Sequence, residues 1–379
     1  MDFKLDDRQE KLAAKVAAFA ATEIAPGAEE RDRESRFSRE IWNRLGQEGL
    51  TGMLAPPEFG GMGADFVTTS VVLENLARHG TDAGLCVSVT ITNLLCRFQL
   101  LRHANEDQKR KYIPAIASGQ IIPAFAVSEA GHGAHPRYLE TTAESDGSDY
   151  ILNGRKMYIT NGPVADLVIV FAVTEKIGDR NGISAFLVEK GTPGFSVGEI
   201  MDLPFCRSSP HCELVFENCR VPAGNLLGEK NSAFKTMVRG VRENEDALGM
   251  ATVVGLLGRQ VELAAAYLKD KGISDERLLV LTELASVVAA VRTIAYKTAW
   301  MRDEGRTGEV EYGLCHSQFE SLVDLATGTL GKLFEDENDL VASGLERLLR
   351  DMGIAKIGRN AAKARKLKLG RRLLEEGGI

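Results

Sequence analysis

The chain has 379 residues, of which 44% are apolar and 26% charged, with 46 Lys and Arg set against 53 Asp and Glu. That balance excludes collagen-like repeats, disordered chains and disulfide-stapled miniproteins, and it offers no bulk attraction to nucleic acid or to an anionic membrane. One hydrophobic core has usually stopped growing at this length, so two or three subdomains are expected.

The opening residues, MDFKLDDRQEKL, are acidic and amphipathic and lack the basic-then-apolar order of a secretory signal. From Met1 to about Gly119 the apolar residues fall at helical spacing, as in Leu12, Val16, Phe19 and Ala20, and then in Ile41 to Leu50 and Val71 to Ala77. A helical domain over 1–119 is expected, broken by the Gly- and Pro-rich loop at 55–63. From 120 to about 228 the pattern changes to β-branched and aromatic runs, Tyr150 to Leu152, Leu167 to Val173, Ile183 to Val188 and Leu214 to Phe216, separated by Gly, Asn and Asp. These predict a compact β domain. Helical spacing then returns over 234–256, 259–271, 276–303, 312–334 and 340–369, within a C-terminal domain over 229–379.

The longest wholly apolar runs are short, Val168 to Val173 among them, so no membrane-spanning helix is expected. Six cysteines without a C-x-x-C pair fit a reducing compartment, and a cytoplasmic location is expected. His132 and His135 sit close together, with Cys206, His211 and Cys212 further along, but the spacing matches no zinc pattern and no metal is expected. Two charge blocks stand out. Four carboxylates fall within Phe334 to Asp339, and eight Lys or Arg with no acid within Lys356 to Arg372; solvated faces account for most such blocks, while a basic helix can also grip a phosphate.

Several long segments resemble the acyl-CoA dehydrogenase family in order and spacing. They are FSREIWNRLGQEGLTGMLAPPEFGGMG at Phe37 to Gly63, FAVSEAGHG at Phe125 to Gly133, NGRKMYITNGPVADLVIVFAVT at Asn153 to Thr174, and SSPHCELVFENCRVPAGNLLGE at Ser208 to Glu229. The resemblance implies an α+β fold with an N-terminal all-α domain, a small central β-barrel or sandwich and a C-terminal four-helix bundle. It implies FAD, with Val127 and Ser128 at the flavin's pyrimidine edge, Tyr158 in place of the usual Trp over one flavin face, and Thr160 as the hydroxyl that bonds flavin N5. It also implies an acyl thioester substrate on coenzyme A or a carrier protein, an electron-transfer flavoprotein as electron acceptor, and a homo- or hetero-oligomer.

Oxidation of a thioester between Cα and Cβ needs a carboxylate to take the α-proton. The family places that Glu at one of two positions. The late one falls here on Arg359, after Arg350-Asp351; the earlier, on a preceding helix, aligns with Glu245, with Glu243 as the alternative. Other positions also depart from the pattern. Gly133-Ala134-His135 replaces a Gly-Ser-Asp loop, Lys271-Gly-Ile-Ser-Asp275 and Thr282 replace residues that hold FAD across a subunit boundary, and Glu335-Asp-Glu-Asn338 replaces a glycine turn. Negative charge beside a pyrophosphate is repulsive, and lost glycines remove close backbone approach. Three readings follow: a flavoenzyme in which Lys271, Arg359 or other tail cations supply the missing charge, one subunit of a heteromeric dehydrogenase, or a non-oxidising, flavin-free member of the fold.

Overall fold

In the computed structural model, residues 4–271, 274–334, 340–341, 343–356 and 359–376 are described. The N-terminal part is helical: α1 (Asp7–Phe19), α2 (Ala28–Arg33), α3 (Arg39–Gln47), α4 (Phe66–Gly80), α5 (Ala83–Leu94), α6 (Leu101–His103) and α7 (Glu106–Ala117), with a π-helical stretch, Leu95–Leu100, joining α5 to α6. Side chains set the helix starts. Asp6 and Gln9 form a reciprocal capping box on α1, and Asp65 and Asp82 cap α4 and α5. In the expected loop at 55–63, a Cβ on Gly61 would lie 2.1 Å from the carbonyl oxygen of Ala55, so only glycine lets the chain fold back on itself there.

The middle of the chain forms eight strands: β1 (Pro123–Ala126), β2 (Thr142–Ser145), β3 (Asp149–Thr160), β4 (Leu167–Ile177), β5 (Arg180–Glu189), β6 (Phe195–Met201), β7 (His211–Pro222) and β8 (Leu226–Leu227). Their order is β6-β7-β3-β2-β4-β5-β8, with β1 parallel to β4. β4 is buried on both faces, which explains its continuous apolar run. Leu167, Ile169 and Phe171 join a core shared with the α5–α7 region, while Val168, Val170 and Ala172 join the core internal to the β domain.

After a π-helical turn, Phe234–Val238, come α8 (Arg239–Lys271), α9 (Asp275–Asp303), α10 (Val310–Gly331), α11 (Glu346–Asp351) and α12 (Arg359–Glu376). α8 packs along α4, α5, α9 and α10, and the cluster uniting these helices holds the largest buried apolar group. Two expected boundaries move. The segments 234–256 and 259–271 are one helix from 239 on, because Gly255 serves packing and does not end the helix: a Cβ there would lie 2.3 Å from the carbonyl oxygen of Glu74 on α4. The expected helix over 340–369 is instead α11, a 3₁₀ turn at Met352–Lys356 and α12. Gly353 lies in that turn, where a Cβ would stand 2.6 Å from the Phe205 ring.

The expectation of no helix able to span a membrane is corrected. Among the described residues three helical stretches, Ala83–His103, Asn244–Lys269 and Asp275–Asp303, are long and apolar enough by length and composition. Small and hydroxyl residues interrupt their wholly apolar runs without lowering the average much. The apolar windows of the first two are 83% and 67% buried within the protein, that of α9 only 28%.

Candidate functional site

A cavity of about 1010 Å3 opens between the β domain and the C-terminal helices, at the upper end of the range for small-molecule and cofactor sites. Val127, Ser128, Tyr158 and Thr160 line its β side, and Glu245 lines it from α8. The structure thus brings together five of the residues singled out in the sequence. The side chains of Glu243, Lys271 and Arg359, and the whole acidic block 335–338, lie outside the described residues.

The β wall is held from behind by a buried ion pair. Lys156 is fully buried, and its Nζ donates to Glu129 Oε1 at 2.7 Å and to the Val127 carbonyl at 3.2 Å. Glu129 also accepts from the backbone N–H of Glu140 and Thr141 and from the Thr141 hydroxyl. Burial pushes the Lys156 ammonium down to about 8 despite its anionic partner, whereas the cation and these donors hold the Glu129 carboxyl below its usual range against the opposing effect of burial. Ser128 is tied down as well, its carbonyl accepting from Met157 N at 2.8 Å.

Opposite Met157 the ladder between β3 and β7 slips between Lys156 and Ile159. At this bulge Tyr158 takes a φ of 60° and remains 60% exposed. A bulky residue in the left-handed region is an energetic outlier, and such strain gathers where a side chain is aimed for use. Strand propensity alone does not account for it.

Residues 202–211 close one end of the cavity with Leu203, Phe205, Cys206 and His211. Three anchors fix this loop. Cys206 N donates to Asp351 Oδ1 at 2.9 Å, the Ser208 hydroxyl donates to Asp82, and Ser209 and Ser88 hydroxyls meet at 3.3 Å. Asp82 also pairs with buried Arg31 at 3.0 Å while capping α5. A Cβ on Gly84 would stand 2.3 Å from Ser208 Oγ, so glycine permits the loop to sit on the helix start. His211 comes directly opposite Thr160 in the ladder, with Thr160 Oγ1 and His211 Nε2 2.8 Å apart. Sequence reading weighed this histidine only as a metal ligand; among the described residues no group of three or more His, Cys, Asp or Glu gathers that could hold a metal. His132 and His135 instead both lie against the Tyr138 ring, each tilted by 33°.

On α8, Val241, Glu245, Gly249 and Val253 line the cavity four residues apart, along one face of the helix. The neighbours of Glu245 have partners of their own: Asn244 is buried and accepts from Arg302 Nε at 2.5 Å, and Asp246 pairs with Arg365 of α12, a pair that also lines the cavity. Further along the wall, α10 contributes His316, whose buried Nε2 has no hydrogen-bond partner among the described residues and whose imidazole burial pushes down to about 4.

An aromatic face, hydroxyls and apolar side chains, with Glu245 on α8 and Lys363, Arg365 and Lys366 on α12, all facing one large cavity, suit a flat heteroaromatic cofactor that carries a charged tail. Comparison with known proteins agrees. Residues 6–120 match the family model "Acyl-CoA dehydrogenase, N-terminal domain" and 124–219 "Acyl-CoA dehydrogenase, middle domain". Isovaleryl-CoA dehydrogenase, mitochondrial, of Pongo abelii is 34% identical over 97% of this chain and 89% of that protein. The chain belongs to the acyl-CoA dehydrogenase family. The motifs quoted from the sequence carried that membership correctly, and with it the arrangement of helical, β and helical parts. A solved structure described as "Electron transferring flavoprotein of Acidaminococcus fermentans: Towards a mechanism of flavin-based electron bifurcation" superposes at a TM-score of 0.90 with 30% identity, over 99% of this chain and all of that one. The prolyl acyl carrier protein oxidase AnaB superposes at 0.87 with 27% identity, over 98% and 100%.

Proposed function

We propose that this acyl-CoA dehydrogenase family member binds FAD in the cavity and oxidises an acyl thioester to its α,β-unsaturated form, with Glu245 as the base. The observation that carries the reading is that Glu245 lines the same cavity as Val127, Ser128, strained Tyr158 and Thr160. The flavin half of the cofactor fits these residues: the Ser128 and Thr160 hydroxyls provide polar contacts at its edges, and Tyr158 provides a flat face that keeps water off the ring. FAD bound there would supply the acceptor for the hydride, and with it the two electrons, that leaves Cβ. Glu245 removes the α-proton of the thioester, the Cα–H electron pair becomes the new double bond, and the enoyl thioester departs. Val241 and Val253, one and two turns from Glu245 on the same face of α8, give the base apolar neighbours in the cavity wall.

The thioester is carried by coenzyme A or by a carrier protein, the latter in line with the likeness to a carrier-protein oxidase. Electrons then pass to an electron-transfer flavoprotein. Assembly with further chains, identical or different, is supported by α9, whose apolar window is mostly unburied and whose Leu279 is 73% exposed. The six cysteines, all unpaired and buried, support a reducing compartment such as the cytoplasm.

Purification and a panel of acyl thioesters with an artificial electron acceptor test the reading. A yellow protein that turns over such a thioester is expected, and Glu245→Gln keeps its flavin but loses about 10²- to 10⁴-fold in turnover. A colourless protein from expression of this chain alone overturns independent FAD binding, and recovery of colour on co-expression with a partner chain assigns it to a heteromeric dehydrogenase. Full activity in Glu245→Gln overturns the base assignment.

A further inference from the structure

We propose that His211 is a positioning residue that commits the Thr160 hydroxyl proton, so that Thr160 meets the flavin as a hydrogen-bond acceptor and the site favours the reduced cofactor. The proposal rests on the flavin reading above, with Thr160 at the N5 edge.

The argument begins with the imidazole. Nδ1 lies 2.9 Å from the carbonyl oxygen of Ser209 and Nε2 lies 2.8 Å from Thr160 Oγ1. A carbonyl oxygen can only accept, so Nδ1 must carry a hydrogen; the opposite tautomer would set two lone pairs against each other. Burial lowers the imidazole's proton affinity, outweighing the opposing effect of the Ser209 carbonyl, so the neutral ring prevails at neutral pH. A neutral ring with hydrogen on Nδ1 has a bare Nε2 that can only accept. The single proton of the Thr160 hydroxyl therefore goes to His211, and Oγ1 keeps only lone pairs for anything else in the cavity.

The ring is held in this orientation from both sides. Asn161 N donates to the Pro210 carbonyl at 2.9 Å, and the Ser209 hydroxyl meets Ser88 of α5. On the neighbouring residue, Cys212 Sγ fills the space above Gly162, where a Cβ would lie 2.4 Å away. A swing of the imidazole away from Thr160 would have to move the anchored Ser209–Pro210 backbone.

The consequence depends on the redox state of the ligand. Flavin N5 carries a lone pair when oxidised and a hydrogen after accepting a hydride. An acceptor-only hydroxyl opposes the first and bonds the second. One hydrogen bond of ordinary net strength amounts to about a tenfold preference for the reduced cofactor, which for a two-electron couple is about 30 mV in midpoint potential.

Two measurements test this. In the flavin-free protein, ¹⁵N and ¹H NMR of histidine-labelled samples, with His211 assigned by loss of its signals in His211→Gln, should show hydrogen on Nδ1 and a bare Nε2 at neutral pH. A hydrogen on Nε2 overturns the proposal without reference to flavin. In the holoprotein, His211→Leu frees the Thr160 hydroxyl to donate to oxidised N5, and the midpoint potential should fall by the equivalent of about tenfold in the equilibrium constant. His211→Gln, whose side-chain oxygen can still accept the Thr160 proton, should stay closer to wild type. In a Thr160→Val background the His211→Leu substitution should have no further effect. An unchanged potential in His211→Leu, or a fall that persists without the Thr160 hydroxyl, overturns the role of His211 while leaving the flavin reading intact. A protein that binds no FAD in any assembly removes both.

Discussion

Replacing Lys156 with methionine removes a charge from the back of the cavity wall while keeping most of the apolar stem. At 2.7 Å the Lys156–Glu129 attraction is about 6 kcal/mol gross with an effective dielectric constant of 20, most of it offset by the cost of burying both charges. The methionine variant leaves Glu129 buried with three remaining donors but no cation, and loss of one partner of a buried pair costs about 3–5 kcal/mol. Unfolding entropy for 379 residues is about 0.8 kcal/mol/K, so a loss of about 4 kcal/mol lowers Tm by about 5 °C if the chain melts as one unit. Scanning fluorimetry of wild type, Lys156→Met, Glu129→Gln and the double variant measures it, and the double variant should recover part of the loss because the neutral amide that replaces the carboxylate needs no cation. A pH series adds a sign. Folded Lys156 releases its proton near 8 and the unfolded chain near its ordinary value of 10.5, so between these the unfolded state binds more protons. Wild-type stability relative to Lys156→Met should therefore rise as pH climbs from about 8 towards 10.5. A methionine variant that melts within about 1 °C of wild type, or a relative stability that is flat or falling across that window, refutes the account.

Tyr158→Gly should raise the melting temperature of the cofactor-free protein or leave it unchanged, since glycine adopts a φ of 60° without the strain of about 1–3 kcal/mol that tyrosine bears, while flavin retention through purification falls; a clear loss of stability would make Tyr158 a packing residue instead. Asp82→Asn keeps the Oδ1 that caps α5 and accepts from Ser208 but replaces the Oδ2 that faces Arg31, leaving Arg31 buried and without its anion, so Tm should fall by an amount like that of Lys156→Met, which melting curves read.

Much of this architecture is written in local patterns. The continuous apolar run of β4 and the capping pair Asp6 and Gln9 are short-range signals that survive folding unchanged. The family resemblance singles out Glu245, with Glu243 as the alternative, and the structure puts Glu245 on the α8 face that lines the cavity with Val241 and Gly249. What escaped is long-range. Thr160 and His211 are 51 residues apart and meet only through the register of β3 against β7, which nothing in either strand's own periodicity specifies. The left-handed φ at Tyr158 is likewise set by the bulge, and no Gly or Asn at that position advertised it. Gly255 reads in sequence as a helix breaker, because its role depends on the approach of α4 from 181 residues earlier, between Glu74 and Gly255.

The two-faced burial of β4 bears on how this chain can be folded or divided. Leu167, Ile169 and Phe171 on β4, with Ile183, Ala185 and Leu187 on β5, belong to a core completed by Leu95, Leu100, Ile113 and Ile116 of the helical part. A fragment cut at the change in sequence character near residue 120 would leave that six-residue face in water, a contiguous apolar patch prone to aggregate. The sheet and the helices before it should therefore protect their amides from hydrogen exchange as a single cooperative unit, although the composition of the chain divides them. On the ribosome, the helices are made first and must wait for β4 and β5 to cover them.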